Sequence, residues 1–448
     1  MKNILLFSLG LVLFFSCKKK DPMPTDSEPK CPPNEAELIL AEDISENHAY
    51  PFHGDDPSVD DPQLDPLLDY LSTARIVGLG EATHGTSEFY RMKDKLFRLL
   101  VLKKDFKAII FEIPWGNALV VNDFVTKGIG TADASIDQTF YWTYDTEEVR
   151  SMAQWIHDYN LGLATEDKIF FVGCDPQGGD FTEEKSKVIE FLNIVEPDSV
   201  FGVLTHYAEL PSGNLFEYKD AASEIHQANI QRTKAVYDYL ENNRENFTAA
   251  TSAFEYEVAL MAAHVIQSRE ELYRIGDTGV PRDELMAFYT EWWQRILGQE
   301  AKVAVWAHNF HVMDGATINA TWMGTELRQR QGSNYKNVAF SFGTGSFNAF
   351  LAAANREFLS GVQSQSIPEV PCRTINQVLT LVEGDQHYLI FDELGGATKS
   401  YFETPQSFVQ LGAGFNYSYL SNYTQDFSLA RLFDVVIHFD ETSASVLK

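Results

Sequence analysis

Short apolar runs recur along the chain, each flanked by stretches with helical spacing: Arg75 to Gly80, Ala108 to Pro114, Lys168 to Cys174, Lys302 to Ala307 and Val338 to Phe342, with a further run at Asp434 to Phe439. Runs this short between helical segments predict buried strands alternating with helices. The expected fold is therefore α/β, a central and mainly parallel sheet with helices on both faces. Between Asn214 and Gln299 the alternation stops. Long stretches there keep helical spacing, broken at "IGDTGVPRDE", and predict a helical insertion or lid.

The segment "GLGEATHGTSEFYRMKDKL" (78–96) carries the most informative pattern. At one hundred degrees per residue, Phe89, Met92, Leu96, Phe97, Leu99 and Leu100 share one arc of a helix that Thr86 or Ser87 would cap, with Glu88 in its first turn. Lys93 falls inside that apolar arc. An unpaired ammonium there costs several kcal/mol, so it must meet a carboxylate or reach a cleft. Glu81 and His84 lie about two turns away.

The other ionisable groups follow the same logic of position. Glu81 and His84 come after the first run, Glu112 ends the second, Asp175 follows the third, and His308 and His311 follow the fourth. In an open α/β sheet, ligands bind at the carboxyl ends of the strands. Parallel strands would thus gather groups from four segments at one edge. A neutral imidazole beside a carboxylate can activate water, and His308, His311 and Lys93 could donate to a developing oxyanion. No Gly-x-Ser-x-Gly elbow is present, and Cys174 sits in an apolar run and reads as core. Three histidines and two acids also suit zinc, although "HNFH" lacks the i, i+4 histidine spacing of zinc hydrolases.

Composition narrows the picture. The chain has 448 residues, 44% hydrophobic and 22% charged, with a formal net charge of -29, which opposes nucleic-acid binding. Residues 1–17 read as a signal peptide ending at a lipobox-like Cys17, which would become the acylated membrane anchor. A secreted, unanchored chain is the alternative. Residues 18–60, rich in Pro and charge at the start, are expected to be a tether, with the domain over 61–448. The remaining cysteines, Cys31, Cys174 and Cys372, form no disulfide or zinc pattern. The expected location is the cell envelope, periplasmic or outer-membrane.

Four blocks, "GLGEATHGTSEFYRMKDKLFRLLV", "FKAIIFEIPWGNA", "VPRDELMA" and "VAVWAHNFHV", make the sequence resemble the erythromycin esterase family. The resemblance implies an ester or lactone hydrolase with an α/β fold, a helical portion and no metal or other cofactor, acting on a small-molecule substrate. It implies that His84 takes a proton from water beside Glu81, that Glu112 lines the cleft, and that His308 and His311 hold substrate or oxyanion. Lys93 stands where macrolide-cleaving members have Arg, and Tyr289 where Asn is frequent. Arg282 and Asp283 remain, and with Asp175 they are expected to contact substrate. The rival expectation is a haem- or metal-binding envelope lipoprotein using His84, His308 and His311.

Overall fold

Ten strands form one sheet in the computed structural model, which describes residues 31–139, 141–178, 181–210, 220–275, 280–317 and 320–448. They are β1 (Tyr50–Pro51), β2 (Ile76–Leu79), β3 (Phe106–Pro114), β4 (Phe170–Asp175), β5 (Lys302–Trp306), β6 (Tyr335–Ala352), β7 (Phe358–Ile367), β8 (Gln386–Ile390), β9 (Gly414–Phe415) and β10 (Val435–Thr442). Their spatial order is β1-β8-β10-β6-β2-β5-β3-β4, with β7 and β9 also paired to β6. From β10 to β4 every neighbouring pair is parallel. β1, β8 and β7 join antiparallel. This is the α/β fold, with its mainly parallel sheet, that the hydrophobic pattern predicts.

Strands β2 and β4 are buried at every position, as expected where helices cover both faces of a parallel sheet. Successive residues feed two separate apolar layers. Ile76, Ile110, Val172 and Val305 face one; Val77, Ile109, Phe171 and Trp306 face the other. The first layer also takes Val188, Leu260 and Trp293 from helices between β4 and β5. The second takes Phe89, Met92 and Leu96 from the helix Ser87–Lys104.

Several boundaries differ from the sequence reading. The folded unit begins at Pro33 rather than at residue 61. Helix α1 (Glu35–Asn47) opens with a capping box between Asn34 and Glu37 and buries Ala41 and Ile44. Phe52 is buried too, its ring 5.7 Å from that of Phe439. A charged, proline-rich opening hid this amphipathic helix. β6 is far longer than Val338–Phe342, because its Gly-rich second half pairs with β7.

Residues 1–30, including Cys17, lie outside the described residues. So do 211–219 and 276–279 of the expected insertion. The described part of that stretch is helical, ending in Ala253–Ile275 and Val280–Leu297, and it covers one face of the sheet. No helix among the described residues is long and apolar enough to cross a membrane.

Candidate active site

β2 delivers its loop into a tight space. A Cβ on Gly80 would run into Asn309 Oδ1 and sit 2.7 Å from the Val338 carbonyl, and one on Gly85 would run into the Asn348 carbonyl. Both positions need glycine for close approach. Helix α2 (Ser87–Lys104) starts at Thr86, whose side chain does not cap it; the hydroxyl lies 2.5 Å from that of Thr83 instead. The C-terminal segment fastens the same loop: Ser87 N–H donates to the Ser443 carbonyl and Ser445 N–H to the Gly85 carbonyl, each at 2.9 Å. Ser443 donates through its own N–H and hydroxyl to Glu88.

Glu81 is wholly buried and fully used. Oε1 lies 2.8 Å from His84 Nδ1, while Oε2 accepts from Lys93 Nζ at 2.5 Å and Trp306 Nε1 at 3.1 Å. Lys93 also lies over the Trp306 ring, 4.5 Å from its centre. Burial pushes the Glu81 carboxyl up, but Lys93 and His84 outweigh it and leave the pKa below the ordinary value. Burial, opposed by Glu81, brings Lys93 down to about 8. A carboxylate held this way places the His84 proton on Nδ1. The opposite nitrogen, Nε2, has no hydrogen-bond partner among the described residues, and the side chain is 15% exposed.

Glu112, near the end of β3, organises the second half. Its Oε2 accepts from His308 N–H at 3.0 Å. Its Oε1 accepts from Arg282 Nη2 at 3.0 Å and from His311 Nε2 at 3.2 Å. Burial opposes ionisation, yet His311 and Arg282 hold this carboxyl well below its usual value. His311 Nδ1 lies 2.7 Å from Asp283. Against the cost of burial, Asp283 and Glu112 raise His311 to about 10, so it is an imidazolium. Asp175 grips Arg282 with both oxygens, at 3.1 and 2.7 Å. Two cations thus stand side by side on the one carboxylate they share, Glu112, with Arg282 Nη1 3.2 Å from His311 Nε2.

His308 behaves differently from His311. Burial, then the neighbouring His84, brings it down to about 3. Its Nε2 donates to the Leu411 carbonyl at 2.8 Å and its Nδ1 accepts from Phe310 N–H at 3.2 Å. Its ring lies 4.9 Å from that of His84.

All nine residues singled out around the sheet edge therefore join one network, but their orientations differ from expectation. Lys93, placed among the oxyanion donors by sequence, is completely buried on Glu81. His308 has both ring nitrogens occupied, so it offers no free donor. Asp175 and Asp283, expected to contact substrate, are buried behind Arg282 and His311. His84, Arg282, His311 and Glu112 keep some side-chain exposure. Cys174 is a core residue whose thiol burial pushes well up, and Tyr289 is buried with its hydroxyl 2.5 Å from that of Ser268. Among the described residues no group of three or more His, Cys, Asp or Glu is arranged to hold a metal ion.

Three contributors escape sequence reading. Trp306 binds Glu81 and underlies Lys93. Asn309 ties the loop after β5 to the loop after β2 and to β6: its N–H donates to the Glu81 carbonyl, and its side chain exchanges hydrogen bonds with the Phe340 backbone. Leu411 acts through its carbonyl, for which a sequence carries no signal; Trp306 at least ends a buried strand two residues before His308.

The sequence model described as erythromycin esterase matches residues 101–442; it begins inside α2, after Glu81, His84 and Lys93. Erythromycin esterase type II of Escherichia coli is 23% identical over 333 residues, covering 68% of this chain and 76% of that protein. The crystal structure of a Bacillus cereus protein superposes with a TM-score of 0.82 at 22% identity, covering 93% of this chain and 100% of the other. An erythromycin esterase mutant in its open conformation gives 0.61 at 18% identity, covering 86% and 95%. The chain belongs to the erythromycin esterase family.

Proposed function

We propose that the protein hydrolyses a carboxylic ester or lactone with water activated by His84. The observation that carries this reading is a partly exposed histidine whose Nε2 has no partner among the described residues and whose other nitrogen is held by a buried, counter-charged carboxylate. In the proposed reaction, water attacks the carbonyl carbon as Nε2 takes its proton. The carbonyl oxygen gains the charge; Arg282 supplies a positive donor for it, and the His311 imidazolium, whose two ring nitrogens are held by Asp283 and Glu112, adds positive charge beside it. Collapse breaks the C–O bond, and the departing alkoxide takes the proton back from Nε2. An ester yields an acid and an alcohol; a lactone yields one hydroxy acid.

Within this scheme Glu81 fixes the tautomer, Lys93 and Trp306 hold Glu81 ionised, and His308 supports the His84 ring. Glu112, Asp175 and Asp283 orient the two cations. Membership of a family with relatives named erythromycin esterase supports the reaction class, and no step calls for a metal. The substrate is a small ester or lactone.

A panel of activated esters and lactones, macrolides included, tests the reading. His84→Ala should lower turnover by about 10²–10⁴-fold with an unchanged melting temperature, as loss of a general base does. Full activity in that variant would remove the mechanism, and loss of activity on chelation would point to a metal instead. Acylation at Cys17, with envelope anchoring, is our reading of the N-terminus; a Cys17→Ala chain should leave the membrane fraction.

A further inference from the structure

Aromatic side chains run in series from either side of His84. The Tyr90 hydroxyl lies 2.5 Å from the His84 carbonyl and 2.7 Å from that of Thr143, so the loop carrying Trp142 passes beside the one carrying His84. The Trp142 ring meets Phe350 of β6 edge-on, with 5.8 Å between centres, and Phe350 stacks on Phe358 of β7 at 4.5 Å and 14°. In the other direction the His84 ring lies 4.9 Å from that of His308, which stacks on Phe310 at 5.1 Å. The two series end on one cavity of ≈ 300 Å³, walled by Phe358 and by Phe310.

The rest of the lining offers few polar groups to a ligand. Ala352, Gly412, Ala413 and Gly414 give it short walls. A Cβ on Gly414 would sit 2.6 Å from Phe358, so that ring packs directly on the backbone there, and it still leaves 56% of its residue's surface open. Both amide atoms of Gln410 are sealed from solvent and beyond reach of a ligand. Asn422 Nδ2 is spent on the Ala354 carbonyl. Arg356 brings the charge, its Nη2 on the Asn422 carbonyl at 3.0 Å.

These walls discriminate among occupants. A charged or hydroxyl-rich group would lose its water here and find little but Arg356 in return. An alkyl group would gain the area it covers. A flat aromatic ring gains that area too, and adds the pairing of faces and edges with Phe310 and Phe358, while its own face takes a guanidinium such as that of Arg356.

We propose that this cavity is a subsite for an aryl group of the substrate, set a few bonds from the ester carbonyl that His84 serves. Its purpose rests on the hydrolase reading; the binding itself does not.

Two variants probe it. Phe358→Leu keeps an apolar wall and removes a ring, at a largely exposed position. Gly412→Trp fills the space: Gly412 has no positive φ, and an added Cβ would meet nothing within 4 Å. The full chain is titrated, by saturation-transfer NMR, with the N-methylamides of phenylacetic, 3-phenylpropanoic and 4-phenylbutanoic acids and of their cyclohexyl counterparts. At least one phenyl amide should bind about two- to tenfold tighter than its cyclohexyl partner, the margin that aromatic pairing adds to area. Phe358→Leu should shrink that ratio, and Gly412→Trp should weaken both members of the pair. Thermal melts check folding, and if Phe358→Leu fails to fold, Gly412→Trp decides. No binding of any phenyl amide, no preference over cyclohexyl, or unchanged behaviour in the folded variants overturns the subsite. Hydrolysis of the six matching methyl esters by the wild type and His84→Ala is read separately. An active enzyme without aryl preference sinks the subsite alone, and an aryl-preferring chain that cleaves no ester sinks the His84 reading alone.

Discussion

Lys93 has no exposed side-chain surface and faces a carboxylate that is equally buried. Removing one member of such a pair leaves a charge stranded, at a cost of about 3–5 kcal/mol. Lys93→Met and Glu81→Gln should each lower stability by about that amount in urea melts. Joining them should recover much of the loss, since neither charge is then stranded. Turnover should stay low in the double variant, because His84 no longer faces an ionised carboxylate. Recovery of both together would show that the pair serves stability alone. This residue-scale conflict was visible in the sequence, as one ammonium in an apolar arc. Its resolution was not: Glu81 and Glu112 were both available, and only the fold shows that Lys93 takes the first while Arg282 and His311 take the second.

At the scale of elements, the antiparallel pair β8–β10 sets His387 directly opposite His438, their rings 5.4 Å apart. Burial brings His438 down to about 3, and burial followed by His438 brings His387 well below 6.5. Both stay neutral in the fold. Below pH 6.5 the unfolded chain takes up protons that the folded chain refuses, so stability falls as pH drops from 6.5 toward 3. His308 acts in the same direction. Asp440 and Asp94, raised by burial to about 7 and about 6, act in the opposite one as pH drops toward 3.8. Neither His387 nitrogen has a hydrogen-bond partner among the described residues. His387→Leu should therefore melt no earlier at pH 7 and lose stability less steeply between pH 6.5 and 5. An unchanged slope in thermal melts would show that His387 does not stay neutral.

Element type was legible where the pattern was long or wholly apolar, as in α2 and β2 to β5. β8, "QHYLI", went unread because its two polar leading residues interrupt any apolar run. Gly80→Ala offers a test of the β2 turn. Its Cβ would press on Asn309 and the Val338 carbonyl, and such overpacking should cost about 1–3 kcal/mol and lower turnover as the Glu81 backbone shifts. A fully active, equally stable Gly80→Ala protein would mean that this turn yields freely.

At the scale of the molecule, strand ends rather than motifs assemble the site. β2, β5, β3 and β4 are consecutive neighbours and all run parallel, so the groups that follow them share one edge. That they would meet was legible from position along each strand. Their lateral order was not, because β5 enters between β2 and β3 after a long helical excursion, and chain order carries no record of such a return. Nor did apolar spacing reveal the last segment, where Thr86 bridges Ala444 and Thr146 bridges Leu447. A chain cut after Thr442 should keep its sheet, by far-ultraviolet circular dichroism, yet lose most turnover; wild-type turnover would show the fastening to be dispensable.

That fastening orders events in the cell. The loop bearing His84 is synthesised early, while Ser443 and Ser445, which grip it, emerge from the ribosome long afterwards. On the proposed mechanism, a nascent chain carries His84 on an unsecured loop until Ser443 and Ser445 are made, so hydrolysis follows their synthesis and does not precede it.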